Sequence, residues 1–242
     1  MDLINRDFSD VVMHGANFSG ANLTGSVFTG ADLMGSDFMG ANLSNTKFDN
    51  ATLLAADFTL VHFQNSSFVG VNFTSAMFTD ANLSNANFSN CNFVNAVFHE
   101  TKFNQGRCTG SDFTGVNFLA ISLVGVNFSG CTFTGADLSG CNLSFAQISN
   151  ANFHGANLYG ANLSDAKAVN ADFSGANLKF ANLSYTNMTD SIVDGADFYG
   201  AEVTDTKFNY YPFIRADFTT NDLTDKIAPH ASRLFNFSNK EA

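Results

Sequence analysis

The 242-residue chain contains no tryptophan, two prolines, and 11 basic residues against 22 acidic ones. Each shortage excludes something. No apolar run approaches the roughly 18 residues that a membrane-spanning helix needs. Met1 to Asp10 holds no basic stretch followed by an apolar core, so no secretory leader is expected there. The formal net charge of −11 argues against direct nucleic-acid binding and against adhesion to an anionic membrane, since both require an excess of Lys and Arg. No glycine-rich phosphate loop, CxxC or HExxH is present. The five His are scattered, with His14, His99 and His154 far apart in the repeat frame.

What the chain has instead is 28 Phe set at a fixed interval. Every fifth residue from Phe8 to Leu223 is apolar, and most are Phe or Leu. Two residues before each of these centres stands Ala, Ser, Thr, Cys, Gly or Val, except at Arg6, Ile121, Tyr211 and Asn221. Asn or Asp usually comes one residue before the centre. Ser or Thr often comes one after. Gly or Asn is commonest two after, where all of the 19 Gly but Gly106 fall. Gly and Asn tolerate the positive φ that a tight corner needs. A corner every five residues excludes a helix of 3.6 period and any long strand. The chain must turn repeatedly, each short side sending one large and one small group inward. Asn at stacked outer positions suits side-chain ladders.

The units Ala-Asn-Leu-Ser-Asn (81–85), Ala-Asp-Leu-Ser-Gly (136–140) and Ala-Asp-Phe-Ser-Gly (171–175) resemble the pentapeptide-repeat consensus. The resemblance spans residues 6 to 225. It implies an all-β fold: a right-handed quadrilateral parallel β-helix of about 11 coils, four pentapeptides to a coil, on the order of 50 Å long. Residues 1–225 are assigned to the β-helix. Residues 226–242 are assigned to a short helix or irregular cap.

Four units per coil places residues 20 apart above one another. Two interior columns are then nearly all Phe: one runs from Phe18 through Phe38 to Phe118, another from Phe73 through Phe93 to Phe173. The Phe8 column weakens at Cys108, Ile148 and Ala168. A local void or bulge is expected at Ala168, and a weak coil at Gln105–Cys108. Cys91, Cys131 and Cys141 take the small inward position. All four thiols are therefore expected to be buried and unpaired, which fits a reducing, cytoplasmic location.

Ser and Asp recur because the repeat places them, so their proximity carries no catalytic signal. No catalytic, metal or cofactor site is expected, and a packed interior leaves no cleft for a substrate. Function is expected on the outer surface. Stacking by 20 sorts the charges: the faces centred on Met13 and Phe18 are acidic, and the candidate partner-binding acids are Asp32, Asp37, Asp57, Asp112, Asp137, Asp172, Asp197 and Asp217. A second candidate set is aromatic: Tyr159, Lys179 and Tyr199 in one column, spaced for cation–π contact, with Phe180 beside them, and Phe145 and Tyr185 on another edge. Some pentapeptide-repeat proteins imitate DNA and bind type II topoisomerases, DNA gyrase and topoisomerase IV. The resemblance therefore implies a protein partner of that kind. Against it, B-DNA carries one charge per about 1.7 Å, far more than this chain offers. The alternative is a passive interaction scaffold, a bacterial effector or environmental-response protein with a different protein partner. Leu234, Phe235 and Phe237 are candidates either for capping the last coil or for joining two copies as a homodimer.

Overall fold

Every fifth residue from Asn5 to Asp205 has a positive φ, between 53° and 72°. These corners set the architecture of the computed structural model, which describes residues 1–208. Most corners are β-turns closed from the centre carbonyl to the N–H three residues on, as in Cys141 N to Leu138 O at 3.1 Å. Four corners complete a coil of 20 residues. The coils stack in parallel register, from Asp2↔Asn22 to Asn182↔Glu202. Most pairings are single bridges. They widen to two residues at β1 (Asn187–Met188) and β2 (Lys207–Phe208). The result is a right-handed quadrilateral β-helix, and its coils already begin at Met1, with Leu3 as the first centre.

Three backbone rungs join each side to the neighbouring coil. On one side, Phe118 N donates to Asp137 O (2.7 Å), Asp137 N to Val116 O (2.9 Å), and Ala120 N to Ser139 O (2.9 Å). The residue before the centre points outward, and its Oδ1 accepts the N–H two residues on. Asp137 takes both Ser139 N (3.0 Å) and Ser139 Oγ (2.7 Å). The expected amide ladder forms as well: Asn177 Nδ2 donates to Asn157 Oδ1, and Asn157 Nδ2 to Asp137 Oδ1, each at 3.0 Å.

Inside, the Phe columns stack face to face. Phe113, Phe133 and Phe153 follow one another at 5.2 and 4.8 Å, and Phe38, Phe58 and Phe78 at 5.1 and 5.2 Å. Adjacent columns meet edge-on, as Phe128 and Phe133 do at 5.1 Å and 88°. Most hydroxyls at the small inward position are satisfied by the coil before: Thr101 Oγ1 donates to Phe78 O and Thr186 Oγ1 to Leu163 O, at 2.8 and 2.7 Å, whereas Thr46 and Ser191 donate to the centre carbonyl three residues back.

The bulge expected at Ala168 is absent. Ala168 N reaches Asn187 O at 2.8 Å, and Lys167 pairs with Gln147 and Asn187. Cys108 is likewise in register, its N–H on Asn127 O at 2.9 Å. Rungs on either side of a small centre hold the coils at their spacing whatever fills the interior.

The ladder opens elsewhere. Between the rung Phe93 N–Asp112 O (2.8 Å) and the rung Gln105 N–Val124 O (3.4 Å), no backbone hydrogen bond of normal geometry joins the two coils: Val97 and Asn117 keep only a weak bridge, and the bridge that Lys102 and Ser122 would form is missing. The cause is the size of the residue at the small inward position. Ala41 over Ala21 leaves the following rung, Asn42 N–Ala21 O, at 2.9 Å. Val61 over Ala41 and Val71 over Ala51 stretch the equivalent rung to 3.4 Å. Val116 over Ala96 weakens it to the residual Val97–Asn117 bridge, and Ile121 over Thr101 breaks it. Val126 lies over Gly106, which has no Cβ to meet, and there the rung recovers to 3.1 Å. Successive β-branched residues in one coil therefore prise it from the coil before. They open a crevice of about 630 Å³ bordered by Val97, His99, Lys102, Leu119 and Ser122. The aromatic core beneath stays closed, with Phe98 and Phe118 stacked at 5.1 Å.

Candidate protein-interaction faces

The four faces can be named by their first centres: Leu3, Phe8, Met13 and Phe18. Among the described residues, the Met13 and Phe18 faces together carry ten acids and one base, Lys179. The acids are spread along the rod. Asp32, Asp112 and Asp172 lie on the Met13 face, three or four coils apart. Asp37 and Asp57 pair in adjacent coils of the Phe18 face, with Asp137 and Asp197 further along it. The like charges of Asp37 and Asp57 are tolerated because each carboxylate accepts its own backbone N–H, from Met39 and Thr59, both at 2.8 Å.

Two of these acids are held below the usual carboxylate range. For Asp32 the main cause is its contact with His14, whose Nε2 lies 2.8 Å from Oδ2. For Asp197 partial burial works in the opposite direction, but hydrogen bonds from Lys179 (Nζ to Oδ2, 2.9 Å) and from Tyr199 N–H (3.0 Å) outweigh it.

The aromatic candidates divide. Tyr159, Phe180 and Tyr199 come together: the Phe180 ring meets Tyr159 at 5.5 Å and Tyr199 at 5.6 Å, edge-on to both. The link between the two tyrosines thus runs through Phe180, while the Lys179 ammonium reaches Asp197. Gly160 and Gly200 occupy the same corner in the coils on either side. A Cβ on Gly200 would stand 2.6 Å from the Phe180 ring. Phe145 and Tyr185 lie on the Leu3 face, two coils apart, both exposed. Asp217, Leu234, Phe235, Phe237 and the cap assigned to 226–242 lie outside the described residues.

The four cysteines are buried and unpaired. Burial pushes the thiols of Cys91, Cys131 and Cys141 up to about 12, and Cys108 well above its ordinary value. Each thiol at the small inward position donates to a carbonyl of the previous coil, as Cys131 Sγ does to Cys108 O. Among the described residues no three His, Cys, Asp or Glu side chains converge on a metal-sized site, and no helix is long and apolar enough to cross a membrane.

A four-sided parallel coil with a packed interior and two acidic faces defines a β-solenoid built from five-residue units. Its sequence matches the family model for pentapeptide repeats over residues 16–53, 56–93, 91–130, 121–158, 156–195 and 171–209, so the chain belongs to the pentapeptide-repeat family. Among solved structures, it resembles HetL of the cyanobacterium Nostoc sp. strain PCC 7120, a pentapeptide repeat protein involved in heterocyst differentiation regulation. The identity is 20%, over 84% of this chain and 89% of HetL, with a TM-score of 0.57. It also resembles QnrB1, a plasmid-mediated fluoroquinolone resistance protein, at 20% identity over 83% of this chain and 91% of QnrB1, with a TM-score of 0.52. No curated protein sequence matches it. At these identities the likeness is one of fold.

Proposed function

We propose that this protein is a non-catalytic rod that acts by binding a basic protein partner along its acidic faces. The observation that carries the proposal is the charge asymmetry: among the described residues, two adjoining faces carry ten acids against one base, and that base is already paired to Asp197. An acidic rod favours encounter with a basic protein surface and disfavours nucleic acid. The most specific partner is a type II topoisomerase, DNA gyrase or topoisomerase IV, met at its DNA-binding surface. Support comes from the fold shared with a fluoroquinolone resistance protein and from the acidic faces. Four buried free thiols suit a cytoplasmic location.

A supercoiling assay with DNA gyrase, titrated with the protein in the presence and absence of a fluoroquinolone, tests the topoisomerase reading. Inhibition of supercoiling or protection from the drug at micromolar protein supports it. Neither effect would leave a scaffold with another protein partner, a reading favoured by charge density. Ten coil steps span about 48 Å, over which B-DNA would carry about 28 charges.

A further inference from the structure

The Phe18 face carries a second pattern. Every coil from the second to the tenth, except the seventh, raises one large apolar side chain into solvent on this face. The first five are aliphatic: Met39, Leu60, Met77, Val97 and Leu119. The last three are the aromatic group Tyr159, Phe180 and Tyr199. The Leu3 face has Met1, Ile4, Phe145 and Tyr185. The Met13 face has Val12, Met34 and Ile192, and the Phe8 face has none among the described residues. Exposed apolar residues scattered singly are ordinary, whereas their recurrence on one face in eight of nine successive coils is not. This row covers eight coil steps, about 38 Å at the inter-strand spacing.

Two further observations fall on the same row. Leu60 and Phe180 sit at corners with φ of 62° and 57°, where Gly or Asn would be unstrained, and each is more than half exposed. The crevice opened by Val116 and Ile121 lies at the middle of the row. Val97 and Leu119, 48% and 60% exposed, form its two lips, and the buried Phe98 and Ile121 line its floor. Between the apolar residues stand Asp37, Asp57, Asp80, Glu100, Asp137 and Asp197.

We infer that the Phe18 face is the docking surface, and that its occupant is an elongated protein element both apolar and basic. A helix of about 25 residues would match the length of the row. It would lay a line of aliphatic side chains along the row, seat one of them in the crevice between Val97 and Leu119, and flank them with Lys and Arg opposite the six carboxylates. This is the helix-on-groove mode of recognition with charge complementarity added. The inference rests on the proposal that the rod works through its surface, but not on the partner being a topoisomerase.

The test is fluorescence anisotropy of the full chain with three labelled peptides of about 25 residues: an amphipathic helix with Leu on one side and Lys and Arg beside it, the same composition with the Leu dispersed, and polylysine. The amphipathic peptide should bind at least about tenfold more tightly than the other two. Val97→Ser with Leu119→Ser should weaken it at least about tenfold, Met77→Ser by a smaller factor, and Phe145→Ser with Tyr185→Ser not at all. All these positions are exposed, and circular dichroism checks that the coils persist. Equal binding of polylysine, equal binding by the Val97/Leu119 variant, or no binding of the amphipathic peptide would each overturn the inference. So would sedimentation showing a dimer that the Val97/Leu119 variant abolishes, since the occupant would then be a second copy. A gyrase assay without effect would refute the topoisomerase reading and leave this inference standing.

Discussion

Replacing both Val116 and Ile121 by alanine should close the opened ladder. In the protein as it stands, six successive rungs between the coils, from the N–H of Asn95 to that of Phe103, lack normal hydrogen-bond geometry, with only a weak bridge left at Val97 and Asn117. Each restored bond contributes about 0.5–1.5 kcal/mol net, so about 3–9 kcal/mol is recovered if all six close. Against this, removing buried methyls costs about 2–5 kcal/mol at Ile121 and about 2 kcal/mol at Val116. The two sums nearly cancel, so global stability is a poor readout and local hydrogen exchange a good one. The amides of Phe98, Glu100, Phe103, Asn117 and Ser122 should exchange fast in the wild type. In the double variant they should slow at least about fivefold, the equivalent of about 1 kcal/mol per rung. The amides of Phe133 and Phe153, whose rungs are intact at 2.6 Å, serve as internal controls. The reverse change, Val61→Ile, should speed exchange at His62, whose rung to Ala41 is already stretched to 3.4 Å. If Phe98 and Ser122 are as protected as Phe133 in the wild type, or if the double variant leaves them unchanged, the wedge explanation is wrong.

Three other outcomes are expected. Phe133→Ala removes a ring stacked on both sides and should cost about 3–5 kcal/mol by denaturant unfolding, whereas Phe8→Ala, in the half-buried first coil, should cost clearly less. Gly200→Ala forces a Cβ into the Phe180 ring at a corner with φ of 69°. It should separate Phe180 from Tyr199, which a nuclear Overhauser measurement between the two rings would register. The four thiols should resist alkylation near pH 8 in the folded protein and react on unfolding. Because burial raises their folded pKa values, to about 12 for three of them, while an unfolded thiol ionises near 9, their contribution to stability is fully present below about pH 9. It is lost as pH rises from there towards 12, so the denaturation midpoint should fall across that window.

The interior was readable from sequence because burial leaves little choice. A centre must be large and apolar, a corner must accept positive φ, and both recur at five, so the Phe columns and the buried cysteines follow from residue numbers alone. The ladder defect was not readable. Val and Ala both count as small in a list of residues, and the methyls that separate them matter only where one coil rests on another. Ile121 stood out as an exception, but Val116 did not, and Gly106 showed its purpose only beneath Val126. Ala168 misled in the other direction, since a missing side chain in the core does not disturb rungs made by the wall.

The surface was half legible. Sorting charges by face located the acidic side, but exposed apolar residues were not sorted in the same way. The row from Met39 to Tyr199 mixes three positions of the repeat, so no single column reveals it. For the same reason the cation–π column of Tyr159, Lys179 and Tyr199 gave way to a diagonal contact. A corner residue in one coil meets the residue before the corner in the next, which brings Phe180 to Tyr199 while Lys179 turns to Asp197.

Recognition along one face of four can be measured directly, because the native thiols are buried and surface cysteines can be labelled selectively. Single variants Met39→Cys, Leu119→Cys and Tyr159→Cys sample the Phe18 face. Phe145→Cys samples the Leu3 face, and Asn87→Cys the Phe8 face. Alkylation rates are then compared with and without the bound amphipathic basic peptide. The three positions on the Phe18 face should each be slowed several-fold and the other two left unchanged. Protection shared evenly among the faces, or centred on Phe145 or Asn87, would contradict the assignment.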